Sequence, residues 1–427
     1  MPKKGFLLAD VPKLLSTAND KPGWALCIGA GTSIPLFPDW YSLAAEMAEQ
    51  LVPGKPFNVE ALKNSGFSPD SMIQMVKNST DLDDLEFTMR MSNILYRKLQ
   101  SKIPAEDWND IVDILGANNI SNCSLKKWQM FSSYRDTVLR ATSAYQLASI
   151  IIEAIKQQNG PQCILSFNAE PLLFAMLNSL LVDGRKHPPK KVFSKVISSV
   201  SNCGLGTIPY VFCHGLLPIT TNPHKFSTSI DKLVFLEEEY LHLANNSFSW
   251  QSTMFLNTCI SQHIVFIGTS LTDPNMRRWL SWTHANRLDE MRQNGLNVKD
   301  STQHYWIRTI PKDKNTMPWV EAAVSHLGVR IVWIDNWSQV GLALNKMLGI
   351  GSKTPTPIRA TPTRAKNKKG KGLSENRQTK KDDFVIMRTA AGLVASVGSH
   401  SNLFGKQQIL KDRHSFKPTA ALWIFAD

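Results

Sequence analysis

The fold of this chain is decided between residues 26 and 35, where the sequence reads Leu26-Cys27-Ile28-Gly29-Ala30-Gly31-Thr32-Ser33-Ile34-Pro35. The apolar run predicts a buried strand, and the two glycines predict a sharp turn in which the backbone can come close to a ligand. The apolar-periodic stretch after Pro38-Asp39-Trp40 predicts a helix, whose first N–H groups would face an anion such as pyrophosphate. The pattern therefore suggests a nucleotide site, although the third glycine of the dinucleotide fingerprint is missing.

Three further segments repeat this organisation, because each places a polar or glycine-containing turn where an apolar strand ends. They are residues 163–171 with Asn168, residues 210–215 with His214, and residues 263–274 with the turn Gly268-Thr269-Ser270 and the helix N-cap Asp273. In an open parallel sheet the carboxyl ends of the strands share one edge, and ligands bind at that edge. The sequence therefore predicts that these four turns form one site.

The order of these motifs resembles the sirtuin superfamily, and more closely its bacterial sirtuin-like branch. The resemblance covers about residues 20 to 350. The residues that carry it are Gly29-Ala30-Gly31-Thr32-Ser33, Ser166-Phe167-Asn168, His214-Gly215, Leu233-Val234-Phe235-Leu236-Glu237-Glu238-Glu239-Tyr240, Trp250, residues 266–278 and Val332-Trp333-Ile334-Asp335-Asn336. It implies an α/β, Rossmann-like domain that binds NAD as its substrate.

NAD laid across this edge would place its pyrophosphate on the turn from Gly29 to Ser33 and its adenosine ribose near Gly268 and Ser270. The predicted NAD-binding residues are Gly29, Ala30, Gly31, Thr32, Ser33, Asp39, Gly268, Thr269, Ser270, Asp273 and Asp335. Two of these carboxylates have simpler interpretations, since Asp273 is placed to cap a helix and Asp335 to be a solvated strand end.

Asn168 and His214 are the predicted catalytic residues. Cleavage of the nicotinamide–ribose bond creates an oxocarbenium-like centre, so the site must hold the ribose and admit a nucleophile. An amide can donate to and accept from a ribose hydroxyl or water without adding charge. An imidazole can accept a proton near neutral pH. With water as the nucleophile, the products would be ADP-ribose and nicotinamide. The simpler interpretation of these residues is a helix cap and a core histidine.

Two departures from the sirtuins argue against protein deacylation. The six cysteines are scattered and form no C-x-x-C pair, so neither a zinc ribbon nor another metal site is predicted. The strand that docks peptides in that family has no counterpart after Leu216-Leu217-Pro218. Deacylation or ADP-ribosyl transfer is thus one alternative, and a non-catalytic NAD or ADP-ribose sensor is another. The pair Ala169-Glu170 also departs from the family, which more often has an aromatic residue and Asp there.

The resemblance further implies a biological role, because such domains deplete NAD as effectors of bacterial antiphage, abortive-infection systems. This activity must be gated, and the chain has no G-x-x-x-x-G-K-[ST] motif of a built-in sensor. A separate partner is therefore predicted, either an Argonaute-like protein, a HerA-type ATPase or a nucleotide-processing enzyme, in a homo- or hetero-oligomer.

With 427 residues, 43% of them hydrophobic, the chain has enough apolar surface for a substantial core. Its apolar segments predict a sheet of about six parallel strands, and the helical periodicity of about residues 53–159 predicts an insertion that acts as a lid. No apolar run reaches the roughly 18 residues of a membrane helix, and a cytoplasmic location is predicted.

The last part of the sequence differs in composition. Residues 351–383 contain ten Lys or Arg against three acidic residues, in a chain of net charge +13, and predict a flexible basic linker. No aromatic residues alternate with these charges, so direct nucleic-acid binding is not indicated. The short apolar runs in residues 384–427 predict a small strand-rich module.

Overall fold

The central feature of the fold is one sheet of eight strands, all parallel, in the order β1-β8-β7-β6-β2-β3-β5-β4. A computed structural model describes residues 3–16, 22–187, 189–201, 203–219, 233–246, 249–298, 301–350, 385–389 and 392–396. The strands are β1 Phe6–Leu7, β2 Gly23–Ile28, β3 Cys163–Ser166, β4 Phe193–Val196, β5 Ile208–Phe212, β6 Gln262–Ile267, β7 His304–Thr309 and β8 Val329–Ile334. The predicted α/β, Rossmann-like parallel sheet is thereby confirmed.

Where the sequence predicts about six strands, the described residues form a sheet of eight. The two additional strands, β1 and β4, have two and four residues and lie at the two edges of the sheet. The sequence gives them little signal, because Phe6–Leu7 is too short for a pattern. In β4 the polar residues Ser194 and Lys195 interrupt the apolar run.

Helices cover both faces of the sheet. They are α1 Trp40–Leu51, α2 Val59–Asn64, α3 Pro69–Asn78, α4 Asp84–Gln100, α5 Ala105–Gly116, α6 Leu125–Asp136, α7 Ser143–Lys156, α8 Leu172–Val182, α9 Glu237–Asn245, α10 Trp250–Ser261, α11 Pro274–Gln293, α12 Met317–Ser325 and α13 Val340–Leu348. The segment predicted as a helical insertion contains α2 to α7. Of the helices described, none combines the length and apolar character that crossing a lipid bilayer requires.

The central strand β2 shows why the sheet is buried on both faces. All six of its residues are buried, as expected for a parallel strand covered by helices on each side. Trp24, Leu26 and Ile28 belong to one core cluster, while Ala25 and Cys27 belong to a second cluster on the opposite face. Alternation of side chains along the strand therefore separates two apolar layers.

The C-terminal part of the chain is described only in two short strands. These strands, β9 Val385–Thr389 and β10 Gly392–Ser396, form a separate two-stranded sheet. The predicted basic linker at residues 351–383 lies outside the described residues. The same holds for the rest of the predicted module at residues 384–427.

Candidate functional site

Strand register brings the predicted catalytic residues together. Ser166 in β3 pairs with Phe212 in β5, and the backbone N–H of Cys213 donates to the Ser166 carbonyl at 2.8 Å. Two residues beyond this pair, Asn168 and His214 follow neighbouring strands at the same level. Parallel neighbours are about 4.8 Å apart, so the two side chains share one end of the sheet. Strand β2 pairs with β3 on one side and β6 on the other, which brings the two glycine-containing turns to the same edge.

The glycines of the two turns pack against each other. The Gly31 N–H donates to the Gly268 carbonyl at 2.9 Å. A Cβ atom added to Gly29 would lie 2.7 Å from the Gly268 carbonyl oxygen, and one added to Gly31 would lie 2.9 Å from it. Gly268 itself has φ +68°, and its added Cβ would lie 2.6 Å from the Thr32 nitrogen. Glycine is thus required for turn-to-turn contact, a packing role that the sequence alone did not predict.

Asn168 is held by a buried polar network. Its side chain is only 2% exposed, and its Nδ2 donates to Glu170 Oε1 at 2.9 Å. Nδ2 also lies 3.2 Å from Thr32 Oγ1 and 3.3 Å from Ser33 Oγ. Because a carboxylate only accepts, Glu170 fixes which end of the amide faces it. The opposite atom, Asn168 Oδ1, is buried without a hydrogen-bond partner in the described structure.

Glu170 is a member of the site that the sequence did not assign. It is 4% exposed, and its carboxylate accepts from Ser33 Oγ and from the Leu172 N–H, both at 2.5 Å. Burial raises the pKa of Glu170, while the hydrogen bonds from Ser33, Leu172 and Asn168 act in the opposite direction. The sequence signal was the departure Ala169-Glu170 itself, which marked an unusual residue without revealing its partners.

His214 is buried among aromatic rings. It is 5% exposed, with the ring of Phe167 edge-on at 4.7 Å and that of Tyr240 edge-on at 4.9 Å. Its Nδ1 lies 2.9 Å from the Tyr240 hydroxyl, and its Nε2 lies 3.7 Å from Asp273 Oδ2. Burial lowers the pKa of His214 to about 3, so the imidazole is neutral at physiological pH. Tyr240 is the second site residue that the sequence left without a role.

A small cavity lies beside Asn168. The residues that line it are Ala30, Ser33, Phe37, Pro38, Trp40, Leu43, Leu95, Asn168, Ala169 and Glu170. Leu95 comes from α4, so the segment predicted as a lid contributes to this cavity. The lining includes Asn168 but not His214.

The remaining predicted residues occupy different positions around this edge. Asp39 is exposed and caps α1, where its Oδ1 accepts from the Ser42 N–H at 2.8 Å. Asp273 caps α11 through the Met276 N–H at 2.9 Å, and it also faces His214. Asp335 is exposed at the end of β8, which is separated from β2 by β7 and β6.

In the second glycine turn, the Thr269 carbonyl accepts from Trp306 Nε1 at 3.0 Å, and the exposed Ser270 hydroxyl lies 2.6 Å from Thr272 Oγ1. The roles of all these residues toward NAD stay predictions. Among the described residues, no group of three or more His, Cys, Asp or Glu side chains could hold a metal ion.

The backbone that follows His214 is fastened to α4. Tyr96 Oη donates to the Leu217 carbonyl at 3.0 Å, and Ser92 Oγ donates to the Pro218 carbonyl at 2.7 Å. The Leu217 N–H donates to the Ala169 carbonyl at 2.9 Å. These hydrogen bonds occupy backbone groups of Leu217 and Pro218, whereas residues 220–232, where the sirtuin resemblance would put a peptide-docking strand, lie outside the described residues.

Comparison with known proteins agrees with the sirtuin resemblance of this site. A family model described as the SIR2-like domain matches residues 206–324. The match contains His214, the Gly268 turn and Asp273, and it supports a sirtuin-like family. SIR2-like domains in general are NAD-dependent enzymes. No curated protein gives a significant match to the chain.

Proposed function

We propose that this chain is an NAD glycohydrolase, which cleaves the nicotinamide–ribose bond to give ADP-ribose and nicotinamide. The observation that carries the proposal is the unpartnered Oδ1 of buried Asn168, at the level of His214 and beside a cavity. A buried acceptor without a donor is costly, and a ribose hydroxyl or a water molecule would satisfy it. The residues therefore fit NAD, whose reactive carbon C1′ lies next to the carbon that bears the ribose 2′-hydroxyl.

In this proposal, Asn168 and His214 position the ribose and the attacking water, and neither side chain carries a charge. Glu170 orients the Asn168 amide so that its Oδ1 is available to a hydroxyl donor. His214 is neutral because burial lowers its pKa, so it can exchange a hydrogen bond with water or a ribose hydroxyl without adding charge. The developing oxocarbenium-like centre is positive, and a protonated imidazole beside it would repel it. The uncharged side chains of Asn168 and His214 avoid this repulsion while nicotinamide leaves as a neutral molecule.

Water is the proposed nucleophile in preference to an acyl-lysine side chain. A peptide would need free backbone acceptors and donors to add as a strand. The Leu217 and Pro218 carbonyls instead accept from Tyr96 and Ser92 of α4. This contact favours hydrolysis over deacylation or ADP-ribosyl transfer to protein.

We further propose that the enzyme is a gated effector of bacterial antiphage defence. The support is the resemblance of its ordered motifs to that sirtuin-like branch, together with the toxicity that unregulated NAD loss would have. An Argonaute-like protein, a HerA-type ATPase or a nucleotide-processing enzyme would supply the trigger. The expected result is that phage infection lowers cellular NAD only in cells that carry both the chain and its partner.

The direct test measures NAD and free nicotinamide in cells that express the full chain with the product of a neighbouring gene. Asn168→Ala and His214→Ala are expected to abolish NAD loss. Asn64→Ala and His242→Ala change the same residue types at exposed helical positions and are expected to retain it. Measurable NAD binding without any nicotinamide release would instead favour the sensor, and release that requires an acyl-lysine peptide would favour the deacylase.

A further inference from the structure

The surroundings of His214 define which of its two nitrogens carries the proton. Nε2 faces Asp273 Oδ2 at 3.7 Å, and Nδ1 faces the Tyr240 hydroxyl at 2.9 Å. The hydroxyl can either donate or accept, whereas an ionised carboxylate can only accept. A protonated Nε2 facing Asp273 is therefore favoured electrostatically, and Nδ1 is left as the acceptor of the Tyr240 O–H.

Asp273 is constrained to present an oxygen in this direction. Its other oxygen, Oδ1, accepts from the Met276 N–H at 2.9 Å at the start of α11. Burial raises the pKa of Asp273, whereas the hydrogen bonds from the Met276 and Asn275 N–H groups and the N-terminal end of the helix dipole favour its ionised form. The 3.7 Å separation from Nε2 exceeds hydrogen-bond length, so Asp273 acts on His214 through its field and not through a direct bond.

Three hydrogen bonds hold the first turn of helix α9, which carries Tyr240. The Val234 N–H, just before α9, donates to the His214 carbonyl at 2.9 Å. Glu239 Oε2 accepts from the Leu236 N–H at 2.9 Å and closes the first turn. Ser71 in α3 donates to Glu237 Oε1 at 2.7 Å, which fastens the outer side of the same helix to the helical segment. These hydrogen bonds hold α9 in the position in which the Tyr240 hydroxyl reaches His214 Nδ1.

We propose that Tyr240 is a positioning residue that, together with Asp273, holds neutral His214 in the single tautomer with the proton on Nε2. The functional part of this inference rests on the proposed NAD glycohydrolase activity, since in this tautomer Nε2 can donate a hydrogen bond to a ribose hydroxyl or water while Nδ1 is occupied by the Tyr240 hydroxyl. Tyr240 acts through His214 and is not itself required to touch NAD.

The test is the long-range ¹H–¹⁵N spectrum of the full chain labelled at histidine, with the His214 signals identified by their loss in His214→Asn. The expected spectrum has a protonated Nε2 and an unprotonated Nδ1. Tyr240→Phe should move the Nδ1 signal and populate both tautomers. Asp273→Asn keeps a helix-capping side chain and should also raise the second tautomer. Tyr145→Phe, on α7, is the matched control and should leave the His214 signals unchanged.

Activity supplies the second readout. Tyr240→Phe is expected to lower kcat for NAD cleavage about tenfold with little change in KM, because a hydrogen bond to the working imidazole is lost. A wild-type spectrum with the proton on Nδ1, or unchanged His214 signals in Tyr240→Phe and Asp273→Asn, would overturn the inference. If the spectra behave as expected while the wild-type chain and partner cleave no NAD, the proposed function fails and the assignment of Tyr240 stands.

Discussion

Replacing Glu170 by Gln tests the polar network beneath the proposed site with the smallest change in shape. The carboxylate accepts three hydrogen bonds, from Ser33 Oγ, Asn168 Nδ2 and the Leu172 N–H, and no described cation forms a salt bridge with it. A Gln side chain has one accepting oxygen and one donating nitrogen. It cannot accept from all three groups, so one donor must be reoriented or left unpaired.

The size of the effect depends on which of the three donors loses its acceptor. If the Gln nitrogen faces the Leu172 N–H, a buried donor at the start of α8 is left unsatisfied, which costs about 1–3 kcal/mol of stability. If the nitrogen faces Asn168, the Asn168 amide turns over and presents Nδ2 where Oδ1 had been available. Stability is then nearly retained, but the site loses its acceptor. We expect the second arrangement, with kcat/KM for NAD lowered about ten- to a hundredfold, or roughly 1.4–2.7 kcal/mol.

The assay compares NAD cleavage and chemical denaturation for wild type, Glu170→Gln and Glu49→Gln, the last being an exposed carboxylate on α1. Glu49→Gln should match wild type in both. Full activity in Glu170→Gln would refute the assigned role of Glu170 in orienting Asn168. A loss of activity that merely parallels a loss of folded protein would assign Glu170 to stability alone.

The pH dependence of stability gives an independent check on Glu170. Burial raises its pKa in the folded chain, so the stabilisation present below its unfolded pKa, near 4.3, is lost as the pH rises through the folded pKa. Glu170→Gln cannot ionise and avoids this loss. The stability of the variant relative to wild type should therefore increase as the pH is raised above about 4.3.

Three further changes test other parts of the site. Gly31→Ala should cost about 1–3 kcal/mol in a denaturation experiment, because its Cβ would lie 2.9 Å from the Gly268 carbonyl oxygen; an unchanged midpoint would show that the two turns can separate. Burial lowers the pKa of both His214 and His304 to about 3, so the stability of the fold should fall as the pH drops from about 6.5. In thermal unfolding between about pH 4 and 6.5, His304→Gln should show a weaker dependence of stability on pH than wild type. Tyr96→Phe should lose about 1 kcal/mol by denaturation, since its hydroxyl donates to the backbone after the His214 motif; an unchanged stability would contradict that fastening role.

The sequence predicted the parallel sheet well because its inner strands are apolar and end in recognisable turns. Strands β2, β3, β5, β6, β7 and β8 lie within or overlap the segments that the sequence indicated. The short edge strands were missed, since Phe6–Leu7 has no period to detect and β4 carries a lysine. Edge strands need only one neighbour, and their sequences are correspondingly less constrained.

The members of the site were predictable only where they lie in motifs at strand ends. Glu170 could be seen as a departure, but its partners Ser33 and Asn168 come together only through the pairing of β2 with β3. Tyr240 follows three consecutive glutamates, which predict nothing more than a charged first helical turn. Its contact with His214 depends on where α9 is placed in three dimensions, and local sequence does not encode that placement.

The helical segment supports the proposal of hydrolysis in preference to transfer. Through Tyr96 and Ser92, α4 binds the carbonyls that follow His214, and through Leu95 it lines the cavity beside Asn168. Helix α3 of the same segment holds α9, which carries Tyr240, because Ser71 donates to Glu237. A segment that binds backbone acceptors after His214 and also holds α9 would, in the proposed enzyme, couple substrate choice to control of the reaction. We therefore expect that the proposed partner, by shifting this segment, could change the proposed activity without reaching NAD.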